Sequence, residues 1–482
     1  VGTCTVLLLL VIGSVTTSVP PPTSNWAGTV HFDASQTFEP ESVQEVVDIL
    51  QTSDITPVRV VGTGHSANHL CNTDGILISL HRMNRVLHID RTNLTVRIEG
   101  GATFDDLVQQ VAELDLITAV SVPEITIAGA ILTASHGSGI HVPILPAFVR
   151  QLTIVRPDGS IDTVDDPLQL HYETVSLGSL GVVVDLTYQL TESYDLRQCV
   201  YPNVPLHTIV RSSDSWFFQM NSVQRFFSLF HPTTSVSLFT VYSGAPDGVT
   251  LSSVVIKTSA VCDALPVHFN VQPSDTVLPI DVGGDTATVN PYSFRRASLV
   301  LPHFKPHSLH NLPSHKRNQV QLEYFIPMYY ATQFLQKLPR QPWLPELQKI
   351  LVISEIRAVA ADDFPLSPCN RNNFPLLIRI FTSPSCLTVQ FTLTKSSFHH
   401  NVAQPLVDKL ELFLTQFHSI PHWAKYFQYS PRYLQRVYVS HNLRVLRALQ
   451  AKYDPHGRFQ NRFLQHIFNL PHPAALGSDD EL

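Results

Sequence analysis

Residues 57–69 read PVRVVGTGHSANH, a β-branched run followed by a loop in which Gly62, Thr63 and Gly64 lead into His65 and Ser66. β-branched residues suit a strand, and glycine permits backbone conformations and close approaches that a Cβ forbids. The stretch therefore predicts a strand that delivers a tight loop to which a phosphate can come close. Two further small-residue loops follow. One is Ala128-Gly129-Ala130 with Ser135-His136-Gly137-Ser138-Gly139, and the other is Leu177-Gly178-Ser179-Leu180-Gly181-Val182. A single loop of this kind is an ordinary turn. Three along one region are what a buried dinucleotide diphosphate needs, because only small residues let backbone amides draw near. No G-x-G-x-x-G opens a helix here and the elements do not alternate as βαβ, which argues against a Rossmann unit.

The pattern around the loops is α+β. A helix is expected over Glu41–Gln51, and strands at Val58–Val61, Ile76–Ser79, Val86–Ile89 and Leu94–Ile98. A second helix is expected over Phe104–Leu114 with Thr103 as its N-cap, and a hairpin turns at Pro157-Asp158-Gly159. Later strands are expected at Val236–Val241, Gln319–Phe325 and Leu387–Leu393, with residues 260–318 as long loops. Helices return at Val402–Leu414 and Leu434–Ala451. The 482 residues exceed one ordinary core, so two domains are the expectation.

The formal charge of −7 and the lack of any basic run argue against nucleic acid and for a small-molecule substrate. Six scattered cysteines without C-x-x-C spacing argue against a structural metal site. Val6–Ile12 is an apolar run too short to span a bilayer but suited to the core of a secretory signal. The last residues, Ser478-Asp479-Asp480-Glu481-Leu482, are close to a lumenal retention signal. Together the ends favour the endoplasmic reticulum lumen, with the cytoplasm as the alternative. Asn93-Leu94-Thr95 is a glycosylation sequon placed in a strand by this reading, where it would go unused.

In this arrangement the chain resembles the FAD-linked oxidases of the vanillyl-alcohol-oxidase type, within them the alditol/xylitol and aldonolactone oxidases. VGTGHS (61–66), SEIRAVAADDFPLSP (354–368), LPHF (301–304) with EYFIP (323–327), and His422-Trp423-Ala424-Lys425 carry the resemblance. It implies an α+β fold with a two-subdomain FAD-binding domain (25–195), a substrate-binding cap (196–415) and C-terminal helices returning to the FAD domain (416–470). Residues 1–24 form a targeting segment and 471–482 a tail.

The resemblance implies FAD bound covalently through His65. Gly62, Thr63, Gly64, Ser66, Ser121, Gly129, Ser135, Gly137, Ser138, Gly178, Gly181, Val182 and His422 would also touch the cofactor. Lys425 would stabilise the negative charge of the reduced flavin. Arg357 and Glu355, two apart on a strand and hence on one face, would face flavin or substrate, with Glu355 accepting a polyol hydroxyl. Ser121 and Thr392 would contact substrate, and His136 would serve packing and hydrogen bonding. Alditol oxidases carry a histidine base where this chain has Gln390, and an amide cannot act as a base; His399 and His400 lie nearby. Val120 stands where relatives have Gly or Ala on the dioxygen route. The implied activity is oxidation of the terminal CH–OH of a sugar alcohol, with O2 as acceptor giving H2O2. The alternatives are a sugar 1,4-lactone oxidase or dehydrogenase, and a flavin-binding lumenal protein without turnover.

Overall fold

The computed structural model describes residues 22–52, 56–111, 113–206, 209–210, 234–240, 250–259, 294–296, 319–375, 385–438 and 440–468. The apolar N-terminal run, most of the 260–318 stretch, LPHF (301–304) and the acidic C-terminus lie outside them. β1 (Gln36–Phe38), β2 (Val58–Val61) and β3 (Ile76–Ser79) form a parallel sheet in the order β1-β3-β2. Helix Val43–Thr52 buries Val46, Val47 and Leu50 in the same core as Val58, Ile76 and Ile78, so its apolar stripe covers this sheet.

A second, antiparallel sheet has the order β4-β5-β9-β7-β8, with β4 Val86–Asp90, β5 Thr95–Glu99, β7 Val149–Val155, β8 Ile161–Val164 and β9 Val182–Gln189. Thr103 caps the helix Phe104–Gln110 through a capping box with Asp106. This helix ends earlier than its apolar spacing predicts. Val111 is extended, and Leu114–Asp115 forms a short strand, β6, paired with β10 (Thr191–Glu192). Asp115 is held there by Ser193 Oγ and the Tyr194 N–H. Asn93, expected in a strand, sits exposed in the turn between β4 and β5, where Leu94 takes a φ of 53°.

The third sheet is antiparallel and eight-stranded, in the order β14-β11-β13-β12-β16-β17-β15-β18. Its strands are β11 Asp195–Pro205, β12 Ser235–Thr240, β13 Thr250–Thr258, β14 Phe294–Arg296, β15 Gln319–Pro327, β16 Leu351–Ala360, β17 Ser385–Thr394 and β18 Ile420–Pro421. One face packs against helices including Ala331–Lys337 and Ala403–Leu414. The other faces the first two sheets. In the register, Glu355 lies opposite Gln390, and Gln390 opposite Glu323, so these three side chains form one row on one face. A disulfide joins Cys369 to Cys386 at the start of β17. The expected helix over 434–451 is two helices, Pro431–Val437 and Ser440–Tyr453, with Tyr438 extended between them.

The C-terminal segment returns to the first sheet and completes it. The Val58 N–H donates to Arg458 O, and Asn461 Nδ2 donates to the carbonyls of His69, Leu70 and Asn72. Buried Arg59 donates to the carbonyls of Leu70, Leu177, Gly178 and Phe459. One guanidinium thus fixes two loop segments and the chain's return against β2.

Candidate active site

A cleft of about 910 Å³ runs between the first two sheets, lined by residues 62–66, Ala128–Ala130, Ser135, Gly178, Gly181 and Arg59. The glycines are needed first for loop-on-loop packing. A Cβ on Gly62 would lie 2.2 Å from Thr126 Oγ1, and one on Gly181 2.4 Å from Val155 O. Gly64 is instead required by its φ of 76°. Among the described residues the backbone N–H groups of Thr63, Gly64 and Ser66 donate no hydrogen bond, and buried Thr63 Oγ1 has no partner. A run of free donors in a loop of this shape is an anion cradle. The cleft's volume and these donors fit a dinucleotide diphosphate. Burial lowers the Arg59 guanidinium to about 10, and it remains cationic beside the same loops.

At one end the cleft meets a smaller cavity of about 70 Å³ against the eight-stranded sheet. Trp26, His65, Ile125, Ser135, His422 and Lys425 line both. The His65 ring stacks on Trp26, with centroids 5.4 Å apart and planes at 15°. Ser121, Gln321, Glu323, Arg357 and Gln390 add a polar wall to the smaller cavity. The HWAK turn is pinned along β15: the His422 N–H donates to Glu323 O, and the Tyr426 N–H to Gln321 O. Lys425 Nζ donates to Gln321 Oε1.

Glu323 is the centre of a buried charge network. Its Oε1 lies 3.1 Å from His136 Nε2 and accepts from an Arg357 guanidinium nitrogen at 2.8 Å. Burial opposes its ionisation, but His136 and Arg357 outweigh that and hold it well below the usual carboxylate range. Burial likewise penalises the charge on Arg357, and Glu355 and Glu323 together raise its affinity for the proton. Burial lowers Lys425, opposed by Glu323 and reinforced by Arg357. His422 is pushed down to about 3, chiefly by burial, and its Nδ1 accepts from the Ala424 N–H, so the ring is neutral. Buried Lys257 on β13 is lowered to about 7 by burial, with Glu355 partly opposing.

Several expected site residues stand elsewhere. Val182 packs into the core with Phe459, and its neighbours Gly181 and Val183 line the cleft instead, because side chains alternate along β9. Ser138 exchanges hydrogen bonds with the Val236 backbone of β12, and Gly137 packs against Thr118; both join the loop to its surroundings and line neither cavity. Thr392 is buried and accepts from Gln390 Nε2, which it orients. Glu355 lies behind Arg357, 3.5 Å from its Nε, and does not line the smaller cavity. The carboxylate that lines this cavity is that of Glu323. His399 and His400 lie at the end of the helix Lys395–His399, away from both cavities. Glu323 and Lys257 were missed by the sequence reading. The alternation Gln319, Gln321, Glu323 within an otherwise apolar strand is the signal that exposes Glu323. Of the cysteines, Cys71 is free and lines the larger cleft. Among the described residues no group of His, Cys, Asp and Glu is arranged to hold a metal ion, and no helix is long and apolar enough to cross a membrane.

Two family models match the chain: an FAD binding domain over residues 34–165 and D-arabinono-1,4-lactone oxidase over residues 308–467. Alditol oxidase from a Streptomyces strain is 27% identical over 455 residues, covering 92% of this chain and 99% of the relative. L-gulonolactone oxidase of Mus musculus is 26% identical over 476 residues, covering 92% and 97%. The crystal structure of 6-hydroxy-D-nicotine oxidase from Arthrobacter nicotinovorans superposes with a TM-score of 0.64 at 16% identity, covering 91% of this chain and 93% of the other.

Proposed function

We propose that the chain is an FAD-linked oxidase of the alditol and aldonolactone group and that it oxidises the terminal CH–OH of a sugar alcohol such as xylitol to the aldehyde level. The observation that carries this reading is the junction of the two cavities, where the polar row on the eight-stranded sheet meets the end of the dinucleotide cleft. FAD, when bound there, supplies the acceptor for the substrate's hydride, with O2 taking the electrons on to H2O2.

The chain's own residues divide the remaining work. Backbone donors of Thr63, Gly64 and Ser66 hold the diphosphate, with Arg59 shaping their loops. His65, at the junction, is the residue we assign to covalent attachment of the flavin. Lys425 brings positive charge to the junction, where it stabilises negative charge that develops during reduction. Arg357 orients and polarises the substrate hydroxyl, steadied from behind by Glu355. Ser121 and Gln390 add hydrogen bonds to neighbouring hydroxyls. Val120 narrows the same cavity, so a dehydrogenase passing electrons to another acceptor is the variant reading of the second half-reaction.

A sugar 1,4-lactone is the second substrate reading, favoured by the lactone-oxidase model over 308–467 and by Gln390 standing where alditol oxidases carry a histidine. Anaerobic bleaching of the visible flavin band decides between them. Bleaching by xylitol alone is expected; bleaching by a galactonolactone alone would move the chain to the lactone oxidases. Bleaching by neither would leave a flavin-binding protein without turnover. His65→Ala should release its flavin on denaturation, whereas flavin that stays attached would refute the linkage.

The secretory route completes the reading. Its support is the apolar Val6–Ile12 run, which suits the core of a secretory signal. The exposed Asn93 sequon offers the test: lumenal protein should shift on glycosidase treatment, and an unshifted wild-type band identical to Asn93→Gln would count against that route.

A further inference from the structure

Building on the CH–OH oxidase reading, we propose that Glu323 receives the proton of the reacting substrate hydroxyl, the task that Gln390 cannot perform. Both hydrogen bonds made by its carboxylate among the described residues end on Oε1, from His136 at 3.1 Å and Arg357 at 2.8 Å. Oε2 accepts none, and the residue lines the smaller cavity. Two donors therefore fix the carboxylate plane and leave its second oxygen to the substrate.

His136 Nδ1 lies 2.8 Å from Gly137 O. A carbonyl only accepts, so Nδ1 carries a hydrogen. Nε2 then faces the Glu323 carboxylate. With Arg357 donating to the same oxygen, Glu323 is held as the carboxylate, ready to accept a proton. Gln390 lies directly across from it on β17, so an amide donor and a carboxylate acceptor stand side by side on one face. An alcohol hydroxyl, itself donor and acceptor, matches that pair.

The step balances without a further reactant. The C–H bond breaks and its electron pair leaves with the hydrogen as hydride for the flavin. The O–H bond breaks and its proton forms a new bond to Glu323 Oε2. The carbinol carbon becomes a carbonyl. Because His136 and Arg357 weaken Glu323 as a base, hydride departure leads and the proton follows from an increasingly acidic hydroxyl. Deuterium at the carbinol carbon should therefore slow bleaching several-fold, with little additional effect of D2O.

The test compares wild type with Glu323→Gln, Glu323→Asp and Gln390→Ala. Gln at 323 keeps an acceptor for His136 and Arg357 but cannot take a proton. Flavin content, melting temperature and the spectral shift that xylitol induces in bound flavin report the intact site independently of turnover. The expected result is near-normal flavin content and xylitol binding in Glu323→Gln, with anaerobic bleaching slowed about 100-fold or more. Gln390→Ala should slow it by less than about tenfold, as loss of one hydrogen bond does. Bleaching by Glu323→Gln at the wild-type rate, or a greater loss in Gln390→Ala, would overturn the assignment. Should Glu323→Gln fail to hold flavin, Glu323→Asp decides: with its charge retained it should bleach measurably but slowly, and full speed would overturn the proposal. Wild type bleached by neither polyol nor lactone would instead overturn the oxidase reading on which this one rests.

Discussion

The larger cleft and the smaller cavity are built on opposite principles. The cleft is made of backbone: loops whose small residues let them nest against one another, with N–H groups that donate to no other described residue. The cavity is made of side chains, alternating on β15, β16 and β17 and aligned by register. A backbone site depends on what is absent at each position, namely a Cβ. A side-chain site depends on what is present. The two therefore fail differently: crowding a loop should remove the cofactor, while trimming a strand side chain should leave the cofactor and remove the chemistry.

The largest expected effect lies in the clamp that organises the cleft. Arg59→Met would strand four carbonyls that now share one guanidinium. At about 1–3 kcal/mol for each buried group left unsatisfied, the loss approaches a whole domain's stability. Purified Arg59→Met should hold little flavin and melt well below wild type; normal flavin content would break the claim that this residue shapes the loops. Gly62→Ala comes next. Its new Cβ meets Thr126 Oγ1 at 2.2 Å, an overpacking expected to cost about 1–3 kcal/mol. Flavin retention should fall and should recover partly in Gly62→Ala/Thr126→Ala. Absence of rescue would mean that the contact with Thr126 is not what selects glycine there.

The smallest effect concerns the side-chain site. His422 is neutral when folded and held at about 3, against about 6.5 when unfolded. A base with a depressed folded pKa contributes stability that is fully present above about pH 6.5 and is lost as pH falls towards 3, by up to about 1.4 kcal/mol per pH unit. His422→Asn keeps an acceptor for the Ala424 N–H and removes the titration. Its stability should fall less steeply than wild type between pH 7 and 5 in chemical denaturation. Parallel curves would show that other buried groups dominate the acid response.

The same contrast explains what could be read from the sequence. The three small-residue loops, the capped start at Thr103 and the strands flanking Gly62 depend on neighbours in the chain, and so they were legible. The Phe104–Gln110 helix was overrun because Leu114 keeps the apolar spacing, while Asp115 is claimed by Ser193 and Tyr194, nearly eighty residues on. Glu323 was overlooked for a related reason. Its importance comes from His136, 187 residues earlier, and Arg357, 34 residues later. Glu355 was expected to face substrate with Arg357 on the same strand, and only the folded sheet brings Glu323, two strands away on β15, into the cavity.

The clamp at Arg59 also sets a clock. Its partner at Phe459 lies 400 residues further along the chain. At ribosomal speeds of about 5–20 residues per second, that interval is roughly 20–80 s. Through that time the first sheet has emerged without the segment that closes it, and the loops around its guanidinium lack their last anchor. A chain built this way can close its cradle only after Phe459 has emerged, so the loops beside β2 wait for their last anchor throughout that interval.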